Sequence, residues 1–412
     1  MYVACADPPK KPTKPGAGAG TGGAIGEAGA GNSGGTDATS GKGGTSGSAA
    51  EGGEGGAPEA IGGEGGIGGE GGEGGAPPTE PPPIDPCTTT TVGGKSKIPA
   101  APTTGVAKPA GAVGGLHVIN WAGFKGAISY TFDDALATHK THYAELNAVG
   151  IPMTFYLVGY NMGTDPAWTK AAEDGHELGN HTMHHCDSNG DACGWGAFTN
   201  IAMEIDECTA KIKSNFGVPG VYTFASPNGS TGWAAPASQR FLVNRGVYDD
   251  PAGIAPNGDN YPYNLPCHIA ATGETAAGAK GFNSVSDDVR TKGTWRIILA
   301  HALEMDGSYN PVLASEVVAA MTYTKGLGDI WADTVVSIGA YWRAQKVFPA
   351  VGTAAGTSKV YSWKLPEHFP PGQYLRVTAT GGKVTQCGTE LAWDDHGYYE
   401  INLDAGSVTV SP

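Results

Sequence analysis

Aromatic residues are missing from positions 3–120: of the 35 Phe, Trp and Tyr in this 412-residue chain, 34 lie from Trp121 onward. A stretch this long without aromatics, and poor in branched aliphatics, cannot bury enough apolar surface to offset its chain entropy. Residues 1–115 are therefore excluded as a globular domain and are expected to form a disordered Gly/Ala/Pro/Glu-rich tether. No run of about 18 apolar residues occurs, which excludes a membrane-spanning helix on sequence grounds. Basic residues are scarce, 25 Lys and Arg against 40 Asp and Glu, giving a net charge of −15 with no basic patch. Nucleic acid is not an expected partner. None of the seven cysteines sits in a CxxC pair, which argues against a zinc ribbon or a thioredoxin-type motif.

What the chain has in excess is glycine, 67 residues, much of it in GGEGG-type repeats at 52–56, 62–66 and 68–75. This composition reads as a flexible coil, and the PPTEPPPIDP run at 77–86 as stiffer polyproline II. Ahead of it, Met1-Tyr2-Val3-Ala4-Cys5 resembles the end of a lipoprotein signal, with small residues before a Cys that would carry lipid. A lipid anchor at Cys5 and an extracytoplasmic location, at the cell surface or secreted, are the expectation. Cys186, Cys193 and Cys208 are close enough in sequence for a local disulfide in an oxidising compartment, with the pairing left open.

From Leu116 onward strand and helix patterns alternate. Strands are expected at 117–121, 127–132, 153–158, 175–179, 221–225, 246–248 and 295–300, and helices at 139–149, 168–174, 199–216, 311–323 and 328–345. Such alternation implies a largely parallel sheet, most simply an α/β barrel over 116–348 with its active residues at the C-terminal strand ends. Residues 349–412 show only short strands between Gly- and Pro-rich turns, and read as a small β-sandwich or cap. Its Trp363, Tyr374, Trp393, Tyr398 and Tyr399 suit either a core or stacking on sugar rings.

Two segments carry the chemistry. Ser129-Tyr130-Thr131-Phe132-Asp133-Asp134 is a strand ending in paired carboxylates, which serve one site only if the chain leaves extended geometry there. One acid binding a cation while its neighbour accepts a proton would use both; the plain alternative is a pair capping the next helix. In His181-Thr182-Met183-His184-His185, the first and last imidazoles share a face if the segment is a helical turn, and can converge on one divalent ion. His184 is spare.

TFDD followed about 45 residues later by HTxxH, with Gly175-His176-Glu177-Leu178-Gly179-Asn180 leading in, resembles the polysaccharide deacetylases (the NodB homology domain, carbohydrate esterase family four) over roughly 120–345. The resemblance implies a distorted (β/α) barrel of the deacetylase type and one divalent ion, zinc first with cobalt or another ion as alternatives. Asp134, His181 and His185 would hold the ion, and Asp133 would be the general base. The family's third motif aligns with Ala225-Ser226-Pro227-Asn228, giving Pro227 and the Asn228 N–H an oxyanion or substrate-binding role. Leu299-Ala300-His301 aligns with its last motif, with Leu299 at the substrate and His301 as general acid. Asp249 and Asp250 are candidates for the acid that tunes this histidine. Ala135 replaces a glycine of the first motif, and Ala225 an arginine that orients the base, so that contact must be absent or come from elsewhere. The implied activity is hydrolysis of N- or O-linked acetyl groups on a polysaccharide by a monomer. An inactivated barrel that binds carbohydrate, which Ala225 favours, and another kind of barrel hydrolase are the alternatives.

Overall fold

The computed structural model describes residues 86–88, 90 and 92–412. Cys5, the GGEGG repeats and nearly all of the polyproline run lie outside the described residues. Among those described, no helix is long and apolar enough to cross a membrane.

The first strand, β1 (Leu116–Val118), is short. It is followed by the strands of one parallel sheet: β2 (Gly126–Asp133), β3 (Thr154–Leu157), β4 (Glu177–Asn180), β5 (Thr223–Ala225), β6 (Val243–Arg245), β7 (His268–Ile269), β8 (Trp295–Ala300) and β9 (Ile330–Ala332). Their order is β6-β5-β4-β3-β2-β8-β7, and β9 pairs with the first half of β2. A parallel bridge between Arg245 and Leu265 brings the segment entering β7 beside β6, so the sheet curls into a distorted barrel. β2 and β8 are buried at every position, as parallel strands covered on both faces must be. Ile128, Tyr130 and Phe132 of β2 pack outward on the helical layer, while Ala127 joins Trp295, Ile297 and Leu299 in a second cluster.

The helices are α1 (Ala137–Thr141), α2 (Tyr143–Ala148), α3 (Pro166–Glu173), α4 (Cys208–Phe216), α5 (Ala234–Ser238), α6 (Phe282–Lys292), α7 (Ala314–Leu327) and α8 (Val335–Val347). Local chemistry sets their ends. Asp165 caps α3 ahead of Pro166, Thr334 caps α8, and α4 stops at Gly217, where φ is +68°.

Several sequence expectations shift. The helix expected at 139–149 is two short helices meeting at His142. The strand expected at 246–248 is β6 at 243–245, because the apolar run Phe241-Leu242-Val243 drives pairing and Gly246 lies past the strand end. The helix expected at 328–345 begins only after β9, since Thr334 supplies a cap inside that span. Helix α6, polar but for Phe282, Val285 and Val289 on its buried face, was not legible.

The C-terminal strands are β10 (Thr353–Ala355), β11 (Ser358–Ser362), β12 (Tyr374–Ala379), β13 (Lys383–Gln386), β14 (Thr389–Glu390), β15 (Tyr399–Asn402) and β16 (Ser407–Ser411). They form two antiparallel sheets, β10-β11-β16-β13-β14 and β1-β12-β15. The second includes β1, so the β-unit begins ahead of the barrel in the chain, and one apolar cluster runs from Trp331 and Tyr341 to Val377 and Ile401. Tyr398 and Tyr399 are buried, while the Trp363 and Trp393 indoles donate to the Leu403 and Val106 carbonyls.

Order also starts before Leu116. Ser96 N–H and Oγ bond Glu400, Arg376 donates to the Ile98 carbonyl, Ala101 is buried, and Val106 N–H donates to Asp395 O. A Cys87–Cys387 disulfide fastens the beginning of this strap. Polar bonds, one cystine and the packing of Ile98, Ala101 and Val113, not aromatic burial, hold it in place.

Two buried histidines make the fold acid-sensitive. Burial pushes His139 and His176 down to about 4, where His139 Nε2 meets the His301 carbonyl and His176 Nδ1 accepts the Met153 N–H. Unfolded, both titrate near 6.5, so between those values these two residues together bind about two more protons in the unfolded chain than in the folded one. Stability is therefore full above pH 6.5 and falls as pH drops towards 4. Denaturation midpoints measured across that range check the slope, and a flat profile would refute it.

Candidate metal centre

β2 ends at Asp133, and the next two residues turn sharply, with φ of +79° at Asp134 and +55° at Ala135. This departure from extended geometry brings both carboxylates to the C-terminal end of the barrel. Asn161 Nδ2 donates to the Asp134 carbonyl and pins the turn. Position 135 thus does need positive φ, and alanine there carries strain that glycine would not.

The second cluster leaves β4 at Asn180. His181 and His185 converge, but not on a helical turn: Thr182 and His185 both have left-handed φ, +64° and +55°. Asn180 Oδ1 accepts the Thr182 N–H, and Thr182 Oγ1 accepts the His185 N–H. His184 turns away and donates both its backbone N–H and Nδ1–H to Glu204, a fully buried carboxylate that the sequence reading missed.

Around Asp134 the geometry is tight. Its Oδ1 lies 3.5 Å from His181 Nε2 and 3.4 Å from His185 Nε2, and it is buried without a hydrogen-bond partner. These separations are long for hydrogen bonds, yet two ligands of one tetrahedral ion at ~2.0–2.1 Å stand about 3.3–3.4 Å apart. His181 Nδ1 is 2.8 Å from the Ala225 carbonyl and donates to it, which leaves Nε2 with its lone pair. Burial and the neighbouring His181 push His185 down to about 4, so it is neutral and can ligate. Burial opposes ionisation of Asp134, but His181, His185 and His301 hold its carboxyl well below the usual range. Two imidazole nitrogens converging on an orphaned carboxylate oxygen fit a divalent cation such as zinc or cobalt.

Asp133 is also buried. Its Oδ2 faces His181 Nε2 at 3.5 Å and accepts from Nη2 of Arg245, while its Oδ1 has no partner. Arg245 is fully buried, with Tyr156 under its guanidinium. Burial works against its charge, but the Asp133 carboxylate outweighs that and raises its pKa. Ala225 and Arg245 are register partners on β5 and β6, so the guanidinium comes from the strand beside the one where the motif alignment expects it. An apolar strand ending in Arg was the available signal.

His301 follows β8, and its Nδ1 is buried without a partner. Burial lowers its pKa, with Asp133 and Asp134 opposing. Leu299 is fully buried two residues earlier, in the cluster with Trp295 and Ile297. Pro227 and Asn228 form a turn after β5, with Asn228 at φ +55°. Asp249 and Asp250 are not brought to His301. Asp249 pairs with Arg296 and faces His268, and Asp250 caps its own turn through the Ala252 N–H. Of the three expected cysteines, Cys186 and Cys193 form the disulfide; Cys208 stays a buried thiol, which burial pushes up to about 12.

The polysaccharide deacetylase family model matches residues 123–241. Among solved structures, a Mycobacterium smegmatis protein assigned as a polysaccharide deacetylase is 16% identical, with 61% of this chain and 99% of that chain covered at a TM-score of 0.40. A family 4 acetyl xylan esterase from Clostridium thermocellum, in complex with cobalt, is 20% identical over 52% of this chain and 89% of that chain, with a TM-score of 0.35. A family 4 carbohydrate esterase from Bacillus anthracis is 18% identical over 55% and 86%, with a TM-score of 0.33. No curated protein matches as a sequence relative. Residues 123–241, which carry the TFDD and HTxxH segments, are thus similar to the polysaccharide deacetylase family.

Proposed function

We propose that this chain is a metal-dependent deacetylase that removes N- or O-linked acetyl groups from a polysaccharide. The observation that carries the reading is the convergence of His181 and His185 Nε2 on an unpartnered Asp134 Oδ1, with a second, arginine-paired carboxylate adjacent. A divalent ion held by these three residues would supply Lewis acidity towards an acyl carbonyl and lower the pKa of water at neutral pH. Asp133 takes a proton from the attacking water at Oδ1, because Oδ2 is engaged by Arg245. Arg245 keeps that carboxylate ionised and fixes its plane. The Asn228 N–H supports the developing oxyanion, and His301 returns a proton to the departing amine or alcohol.

The inactive-barrel alternative rested on Ala225, and the Arg245–Asp133 pair weakens it. Two disulfides suit an oxidising, extracytoplasmic compartment, where acetylated polysaccharide would be met. The test is acetate release from a panel of acetylated glycans with zinc or cobalt added. Release should vanish with EDTA and return on adding back the ion. Metal-loaded protein that releases no acetate from any ester or amide, or release indifferent to chelation, would refute the reading.

A further inference from the structure

The metal ligand His185 is followed at once by a closed hairpin. Cys186 bridges to Cys193, the two residues also pair as an antiparallel bridge, and Asp187 N–H donates to Ala192 O at 2.7 Å. The returning chain then lies along the ligand segment: Gly194 N–H donates to the His185 carbonyl at 3.1 Å, and Trp195 N–H to the His184 carbonyl at 3.0 Å. A methyl group on Gly194 would sit 3.3 Å from His185 Nδ1, so this backbone runs directly beside the imidazole. The Trp195 ring meets the His185 ring edge-on, with centroids 5.8 Å apart. Both flanks of the ligand are fixed as well, His184 by buried Glu204 and Cys186 by the Trp233 indole, which donates to its carbonyl.

His185 itself occupies a left-handed backbone conformation, which a non-glycine residue keeps only when its surroundings over-determine it. We propose that the Cys186–Cys193 hairpin, with Trp195, is a positioning element that holds His185 against Asp134 and so sets the affinity of the metal centre. The proposal rests on Asp134, His181 and His185 being metal ligands.

The test is metal binding by the full-length chain, read by zinc competition with a chelating dye and by the visible spectrum of added cobalt(II). C186A/C193A should bind both ions roughly 10–100-fold more weakly. Its cobalt band should change in intensity and position as an imidazole leaves the ion. Trp195→Ala should show a smaller loss in the same direction, and C87A/C387A, which opens only the bridge on the β-unit, should match wild type. Wild-type affinity and spectrum in either C186A/C193A or Trp195→Ala overturn the proposal, so if the double variant fails to melt cooperatively, Trp195→Ala decides. A wild-type chain that binds neither ion removes the metal reading, and this inference with it.

Discussion

Replacing Asp133 by asparagine is expected to lower kcat/KM for acetate release by roughly 10²–10⁴-fold, the span typical of a lost general base. Metal affinity and melting temperature should stay close to wild type. Asparagine keeps the size of the side chain and one oxygen to accept from Arg245, but it cannot take a proton at the position of the free Oδ1. The loss should therefore fall on kcat, with KM little changed. Alanine at the same position is a different experiment. It strips a fully buried guanidinium of its carboxylate, and breaking such a pair costs about 3–5 kcal/mol, so instability would mix with lost catalysis. An asparagine variant whose kcat stays within a few-fold of wild type would remove Asp133 from the chemistry.

How far the sequence discloses this site depends on which interactions are local. β2 and β8 are legible because each is a short apolar run ending in a residue out of pattern, the Asp pair in one and His301 just beyond the other. The HTMHH cluster is legible as composition, yet its backbone is not. Thr182 and His185 adopt positive φ without glycine, and nothing in the residue types announces that, so a helical turn is the natural but mistaken reading. Glu204 is invisible for another reason. It lies within MEIDE, where three acidic residues look alike, and only packing decides which one is buried against His184. The Cys87–Cys387 bridge closes across a separation of 300 residues, and no spacing rule reaches that far. The strap at 92–115 lacks the apolar signal of an ordered segment because only scattered small or aliphatic residues, Ile98, Ala101 and Val113, pack inward, and the rest of its attachment is polar, through Glu400 and Arg376.

Arg245 is the clearest case of a site contact hidden by register, and it supports a second experiment with a large effect. Removing it as Arg245→Ala leaves Asp133 buried and unpaired, which should destabilise the fold by about 3–5 kcal/mol. The same change should lower kcat by roughly 10–100-fold, as losing a partner that orients a functional group typically does. Arg245→Lys should recover most of the stability and little of the rate, because an ammonium supplies charge without the planar fork. The decisive arm is relocation. Ala225 and Arg245 are paired in register on adjacent parallel strands, so their side chains leave the same face about 4.8 Å apart. Arginine at 225 would enter the space that the 245 side chain vacates, and A225R/R245A should regain both melting temperature and kcat relative to R245A alone. If the relocated arginine restores stability but not kcat, Arg245 is only a counter-ion for a buried charge. If R245A keeps full kcat, the carboxylate needs no orienting partner. Restoration of both would show that the requirement is a guanidinium on Asp133 Oδ2, whichever of the two neighbouring strands provides it.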